Sequence, residues 1–253
     1  MKNREKAPSP TGDRRLPLSL HLEELRRRLM RAALGVLVAT AVSFALTPRI
    51  FHLLLRPAGD IKPVFLDLTE MIGAYFQVAM LGGLVLAIPV ILYEVVMFVA
   101  PGLTPRERRY LFWLLPSAAV SFLVGALFSY FVLLPPALRF LLTFGTDIAT
   151  PQIRIGNYIS VVTRLMLWTG LGFETPLVLF FLAKIGLVTY RGLSRFRRFA
   201  FIGAFVMGAI ITPTFDPINQ SLVAMPLILL YEIGIWLARL AAPARKPQPE
   251  ETG

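Results

Sequence analysis

The chain alternates long apolar stretches with short charged connections. The apolar stretches predict helices that cross a membrane, because roughly 20 predominantly apolar residues span its hydrocarbon core. Six spans are predicted, at 29–46, 71–99, 110–134, 156–185, 199–211 and 222–237. The last two are short, with about 20 and 24 Å of helix. The pattern therefore predicts an all-α polytopic membrane protein whose two short final helices need local thinning of the bilayer or partner helices.

An amphipathic stretch precedes the first span. Leu18, Leu22, Leu25 and Leu29 form one apolar stripe at helical spacing, and acids and arginines fill the other face. Ser19 is a suitable N-cap. We expect this helix to lie in the membrane interface and to continue directly into the first span.

Prolines mark where the predicted elements end or bend. Residues 47–70 are predicted to be a long outer loop that begins near Pro48. Pro135 and Pro136 are expected to close the third span, and Pro176 is expected to kink the fourth. Glycines within the spans are predicted to be points where helices pack closely. They are Gly82, Gly83, Gly125, Gly170, Gly172, Gly203 and Gly208.

Composition supports a membrane protein with a single domain. Hydrophobic residues make up 56% of the chain and charged residues 16%, and the mean hydropathy is +0.66. No separate extramembrane domain is evident. The membrane domain is predicted at 18–240, with disordered cytoplasmic tails at 1–17 and 241–253.

The distribution of charge predicts the topology. The net charge is +11, but the basic residues cluster between spans rather than on one nucleic-acid-binding face, so no nucleic acid partner is expected. Twenty of the 26 lysines and arginines fall on one side when both termini and the connections 100–109 and 186–198 are placed together and the flanking Arg31 and Lys184 are counted with them. The positive-inside rule makes that side cytoplasmic, which gives six spans with both termini inside.

Signatures of catalysis are missing from the sequence. There is no cysteine, and His21 and His52 fall on opposite sides of the predicted membrane. Nucleophile elbows, phosphate-binding glycine loops and zinc-binding helix motifs do not occur. We therefore expect neither an enzyme nor a metal or cofactor site.

Glu174 is the only charged residue in the apolar run 168–182. A charge at the centre of a membrane helix costs roughly 2.5–3.5 kcal/mol on insertion scales, so such residues normally face a protein interior or a wet cavity. Glu174 is either a structural hydrogen-bonding group between helices or a functional polar site. Gln220 is a candidate donor to it. Glu232, a second acid in a span, is interpreted as structural, reaching Arg239 or water.

A second group of acids lies near the predicted cytoplasmic face. It comprises Glu23, Glu24, Glu94 and Glu107. These carboxylates either neutralise neighbouring arginines, with only about 0–1 kcal/mol for each exposed pair, or form a receptor for a cationic peptide. Carboxylates suit paired guanidinium groups because the two bind each other bidentately.

Several co-ordered motifs resemble one family, the TatC subunit of the twin-arginine protein translocase. The resemblance covers about residues 18–240. The motifs are His21-Leu22-Glu23-Glu24-Leu25-Arg26-Arg27-Arg28-Leu29, Phe98-Val99-Ala100-Pro101-Gly102-Leu103 with Glu107-Arg108-Arg109, Gly172-Phe173-Glu174-Thr175-Pro176, and Gly208-Ala209-Ile210-Ile211-Thr212-Pro213 with Asp216 and Gln220.

The resemblance implies a receptor in the bacterial cytoplasmic (inner) membrane that binds twin-arginine signal peptides of folded proteins. It implies recruitment of single-span TatA- and TatB-type subunits, self-association in the complex, and export driven by the proton-motive force. It also implies a cupped, glove-like bundle. Within it, Glu24 and Glu107 match the acids that bind the signal-peptide arginines, with Arg26 and Phe98 in the same patch.

The resemblance also assigns residues outside that patch. Glu174 matches an intramembrane acid on the concave face, and Gln220 and Thr212 match polar contacts to a partner helix. Pro57 and Asp216 match outer-loop positions important to assembly.

Two other functions are compatible with parts of the pattern. A small proton-coupled secondary transporter would use Glu174 as its proton carrier, but it predicts inverted repeats. Residues 29–134 and 156–240 show no such correspondence. A purely structural scaffold is the third possibility, and it would tolerate substitution of Glu24 and Glu107.

Overall fold

A computed structural model describes residues 18–59, 63–148, 152–212 and 216–241, including all side chains in these ranges except those of 18, 19 and 106. The predicted N-terminal tail 1–17 lies outside the described residues, as do residues 242–253 of the predicted C-terminal tail. The helices are α1 (Leu18–Leu55), α2 (Leu68–Val99), α3 (Pro105–Phe128), α4 (Leu134–Thr143), α5 (Ile155–Lys184), α6 (Tyr190–Arg195), α7 (Arg197–Ile211) and α8 (Pro217–Ala241). Short 3₁₀ turns follow α1 and α2, and a π-helical turn joins α3 to α4.

Helix α1 is one continuous helix of 38 residues. The amphipathic start does run into the first span, as predicted. The prediction of a loop from residue 47 is wrong, because α1 continues through Pro48 to Leu55. Phe51 and Leu54 lie on its buried face, and packing of this face outweighs the hydrogen bond that a proline removes. The helix ends where the Tyr158 hydroxyl donates to the carbonyl of Leu54 at 2.7 Å.

Helices α1 and α2 pack closely along their lengths. A Cβ atom added to Gly82 would clash with the Ser43 hydroxyl, and one added to Gly83 would clash with Thr40. Gly125, Gly170, Gly172 and Gly208 also lie at close helix contacts, which confirms the predicted role of six glycines. The prediction is wrong for Gly203, which has nothing within 4 Å of the added atom.

Helices α3 and α4 form one rod with a wide turn in the middle. Residues Ser129–Leu133 are π-helical, and the Leu134 N–H donates to the Ser129 carbonyl five residues back. The prediction that Pro135 and Pro136 close this helix is wrong. Both lie in the first turn of α4, where the missing N–H of a proline costs least.

Helix α5 has 30 residues, close to the predicted span. It contacts α2, α3, α7 and α8. The largest buried cluster surrounds its first half, with Tyr158, Ile159 and Val162 packed against residues of α1, α2 and α4. This half of the molecule therefore holds the core.

The last two long helices differ in length. Helix α7 has 15 residues and is short, as predicted. Helix α8 has 25 residues, so the prediction of sixteen is too short. Helix α8 starts at Pro217, before the predicted span 222–237, and the polar residues after Pro217 form its first turn. They do so because Pro217 stands at the first helical position and the Asp216 carboxylate accepts from the Asn219 N–H at 2.7 Å.

Two ends of the bundle can be distinguished by their ion pairs. One end, here called the Glu107 end, holds the start of α1, the end of α2 and the start of α3. The opposite end, here called the Glu70 end, holds the end of α1 and the starts of α2 and α5.

Within the described ranges, five helices are long and apolar enough to cross a membrane, and α7 is not among them. The count of six spans and the location of both termini stay predictions.

Candidate functional site

An ion-paired cluster joins α1 to α2 at the Glu107 end. Arg28 donates from Nη2 and Nε to Oε1 of Glu24 at 2.7 and 3.0 Å, and from Nη1 to Oε2 of Glu94 at 3.2 Å. The Arg28 and Glu94 side chains are only 15% and 10% exposed. One guanidinium therefore binds two carboxylates, one on each helix.

The local sequence explains this arrangement. Glu24 and Arg28 are four residues apart on α1, so their side chains lie on the same face one turn apart. Glu94 lies between one and two turns before the end of α2, where the helix packs on α1. Of the residues the structure describes, none donates a hydrogen bond to Oε2 of Glu24, so this oxygen is available to an added cation.

Phe98 lies beside the start of α1. Its ring stacks on that of His21, with 4.5 Å between centroids and 24° between planes. Phe98 is half-buried and His21 is exposed. The sequence-predicted residues Glu24 and Phe98 are thus on adjoining parts of α1 and α2.

Glu107 begins α3 at the same end. Its carboxylate accepts from the Thr104 N–H at 2.8 Å, and the Thr104 hydroxyl accepts in return from the Glu107 N–H at 3.5 Å. This capping box fixes the side chain. Among the described residues, no hydrogen bond or ion pair connects Glu107 to Glu24, and none involves the exposed Arg26.

Arg28 is the residue that sequence reasoning missed in this patch. Its spacing of four residues from Glu24 is the signal that identifies it. Glu94 was recognised as an acid of the patch, but not as a partner of the same arginine.

Glu174 is half-buried on α5. Its Oε1 atom is buried and has no hydrogen-bond partner among the described residues. Ser121 of α3 donates to the carbonyl of Phe173, the residue before Glu174, at 2.9 Å, so a polar contact of α3 lies next to the acid. Buried polar groups normally have hydrogen-bond partners. The unpaired oxygen of Glu174 is therefore a candidate docking point for a polar group of another chain.

The predicted hydrogen bond from Gln220 to Glu174 is wrong. Gln220 Nε2 donates instead to the Phe205 carbonyl of α7 at 2.8 Å. Gly208 is responsible, because its missing side chain lets the Gln220 backbone approach α7 closely. Thr212 is buried, and its hydroxyl donates to the Gly208 carbonyl at 2.8 Å. Gln220 and Thr212 therefore both bond to backbone carbonyls of α7, near its contact with α8.

Helix α8 also carries Glu232, whose carboxylate accepts from Arg197 Nη2 at 2.8 Å. The sequence-based prediction that Glu232 pairs with Arg239 or water is therefore wrong. The pair links the start of α7 to α8 and supports a structural role for Glu232.

The outer-loop positions have structural contacts of their own. Pro57 lies in the 3₁₀ turn Arg56–Ala58 that follows α1. Asp216 caps α8, and its second carboxylate oxygen accepts from Asn219 Nδ2 at 3.1 Å.

Glu70 organises the same end, and sequence reasoning did not identify it. Its carboxylate accepts from the Leu66 N–H at 3.1 Å, from the Gly156 N–H at 3.0 Å and from Arg154 Nη2 at 3.0 Å. These hydrogen bonds tie the loop before α2 to the start of α5. Hydrogen bonding to Glu70 raises the pKa of the Arg154 guanidinium above its ordinary value.

Residues 20–226 match the family model described as "Sec-independent protein translocase protein (TatC)". The chain belongs to the TatC family. It is 35% identical to the Sec-independent protein translocase protein TatC of Carboxydothermus hydrogenoformans, over 91% of this chain and 96% of the relative. It is 38% identical to the TatC protein of Aquifex aeolicus, over 91% of this chain and 98% of the relative.

A solved TatC structure has the same fold. The crystal structure of a twin-arginine translocase receptor, TatC, matches with a TM-score of 0.79 and 39% identity, over 87% of this chain and 99% of the other. The resemblance inferred from sequence motifs is thereby confirmed, as is the all-helical fold. Membership of the TatC family and the several apolar helices make the chain a multi-pass membrane protein and a translocase component. The proton-coupled transporter alternative is not supported.

Proposed function

We propose that this chain is the receptor subunit of a Sec-independent translocase and binds twin-arginine signal peptides of folded proteins at its Glu107 end. The observation that carries this proposal is the cluster in which Arg28 holds Glu24 and Glu94 together. Arg28 bonds to only one oxygen of each carboxylate, and Oε2 of Glu24 accepts no hydrogen bond from a described residue. The cluster suits one incoming cation.

The chemistry favours arginine over lysine in that cation. A guanidinium binds a carboxylate through two parallel N–H···O bonds, whereas an ammonium group binds as a point charge. Glu24 and Glu107, which lie near the starts of α1 and α3 at the same end, would each bind one arginine of the twin-arginine pair. Arg26 and the half-buried Phe98 would line the same patch, with Phe98 contacting apolar residues of the peptide.

The remaining residues of the proposal concern assembly. We assign the Glu107 end and both termini to the cytoplasmic side of a bacterial inner membrane, on the distribution of basic residues. Single-span TatA- and TatB-type subunits would dock at Glu174, which has an unpaired oxygen, and at Gln220 and Thr212, near the contact of α7 with α8. Pro57 and Asp216 would act in assembly, including self-association, through the turns they hold.

Binding or crosslinking of a twin-arginine signal peptide to the purified full chain tests this function. Glu24→Ala, Glu107→Ala and a twin-lysine peptide should each weaken binding. Loss of a charge-assisted hydrogen-bond pair of about 1.5–3 kcal/mol corresponds to roughly 10- to 150-fold. Glu23→Ala is the matched control, because Glu23 is exposed and its pair with Arg27 is longer, at 3.4 Å.

Equal binding by Glu24→Ala, Glu107→Ala and the control would overturn the receptor proposal. In that case the acids only neutralise neighbouring arginines, and the scaffold interpretation stands. A twin-lysine peptide that binds as tightly as the twin-arginine peptide would contradict the bidentate argument alone.

A further inference from the structure

Arg164 is a charged residue within α5 that the proposed function does not use. It lies nine residues after the first residue of the helix, and its side chain is exposed. No ion pair in the described part of the chain includes it. A charge within a membrane helix normally has a partner or reaches the polar boundary, so Arg164 is a candidate binding group for an anion.

A polar stripe connects Arg164 to the Glu70 end. Asn157, Ser160 and Arg164 recur at intervals of three and four residues, so they lie on one face of α5. All three line one groove of about 460 Å³ between α4 and α5. The groove is otherwise mainly apolar, with Leu138, Leu141, Leu142, Ile153 and Val161 in its lining.

The direction of α5 brings the guanidinium toward the polar boundary. The Cα atom of Arg164 lies about 14 Å along the helix from Ile155. Side chains on a helix lean toward its N-terminus, and here the N-terminus is at the Glu70 end. A long arginine therefore reaches about one turn along the stripe, toward the Glu70–Arg154 pair, whose 45% exposed arginine marks that boundary.

A smaller groove of about 240 Å³ also touches Arg164, on the side facing α1 and α2. Its polar groups already bond to one another, since Gln77 Nε2 donates to the Thr163 hydroxyl at 2.9 Å. In the larger groove the Asn157 amide is exposed and makes no hydrogen bond to a described residue. The larger groove therefore offers two unused donor groups, those of Arg164 and Asn157.

We propose that the α4–α5 groove binds one anionic phospholipid, with its phosphate at Arg164 and Asn157 and an acyl chain along the leucines of α4. Charge complementarity selects an anion, and the planar guanidinium matches phosphate oxygens bidentately. The combination of an apolar trough and a polar stripe that reaches the boundary fits a lipid, which needs both. This inference does not depend on signal-peptide binding.

Native mass spectrometry of the full chain in detergent tests it, with phosphatidylglycerol as probe and phosphatidylcholine as the net-neutral comparison. Wild-type protein should retain phosphatidylglycerol in preference to phosphatidylcholine. Arg164→Gln should weaken phosphatidylglycerol binding about fivefold, as expected for one basic residue near a lipid phosphate. Arg164→Lys should lose less. Arg49→Gln is the matched control, because Arg49 is an exposed arginine near the same end but on α1.

A second variant tests the trough without changing charge. Leu142→Trp places a larger side chain in the groove and should reduce phosphatidylglycerol retention while leaving the guanidinium intact. Unchanged retention by both Arg164→Gln and Leu142→Trp would overturn the proposal. Loss of a co-purified single-span subunit from Arg164→Gln with unchanged lipid retention would also overturn it, because Arg164 would then pair with an acid of a partner helix.

Discussion

Replacing Arg28 by methionine is the perturbation that tests the ion-paired cluster most directly. Methionine keeps the apolar stem of the side chain but removes the guanidinium. Glu94, whose side chain is 10% exposed, then loses its cation. Glu24, at 27% exposed, loses its partner as well but remains nearer to water.

The expected destabilisation lies between those of exposed and buried pairs. Exposed ion pairs contribute about 0–1 kcal/mol, and removing one partner of a fully buried pair costs about 3–5 kcal/mol. With Arg28 at 15% exposure, we expect Arg28→Met to lower the free energy of unfolding by about 2–3 kcal/mol. Glu94→Gln should cost only about 1 kcal/mol, because Arg28 keeps both bonds to Glu24.

Equilibrium unfolding in a detergent–SDS series measures these differences. The double variant Arg28→Met with Glu94→Met should recover most of the loss, since it removes the unpaired charge and adds apolar contact. Arg27→Met is the control, because its pair with Glu23 is exposed and 3.4 Å long. If Arg28→Met is no less stable than Arg27→Met, the cluster does not hold α1 against α2 and the argument fails.

Two further variants test the packing of α5. Gly125→Leu should destabilise the protein by about 1–3 kcal/mol or more, because even a Cβ atom there would lie 2.8 Å from the Phe173 ring. Gly203→Leu is the control and should be near neutral in the same unfolding assay, because Gly203 faces open space. Equal effects of the two variants would contradict the close packing of α3 on α5. Tyr158→Phe should cost about 1–2 kcal/mol by leaving the Leu54 carbonyl unbonded, and an unchanged unfolding midpoint would show that this hydroxyl does not cap α1.

The helices could be predicted from the sequence, but several of their ends could not. Proline signals were misread at Pro48 and Pro135, where the chain continues as helix. In each case the deciding term is long-range packing, of Phe51 against the core and of Leu138 against α5, which a local signal does not contain. The predicted span 222–237 leaves out the first turn of α8, because the residues of that turn are polar.

The candidate site was predicted in its residue types rather than in its contacts. Glu24 and Glu107 were identified, and the structure places both at one end of the bundle, although it does not join them. The bond from Gln220 to Phe205 depends on how closely α7 approaches α8, and that approach is set by tertiary packing at Gly208. Glu70 was missed because its three donors come from the loop before α2 and from the start of α5, which are far apart in sequence.

The π-helical turn between α3 and α4 has a consequence for how the length of the chain can vary. From Ala118 to Leu138, a buried residue recurs every fourth position, which in a straight α-helix drifts by about 40° at each step. The π-helical turn at Ser129–Leu133 holds one extra residue. That residue offsets about 100° of the accumulated drift. A one-residue deletion inside the turn should therefore leave Leu134 and Leu138 facing the core, as thermal stability would report. The same deletion elsewhere in α3 would rotate everything beyond it by about 100°. The turn is thus the point in this rod at which a one-residue deletion can be accommodated without repacking the bundle.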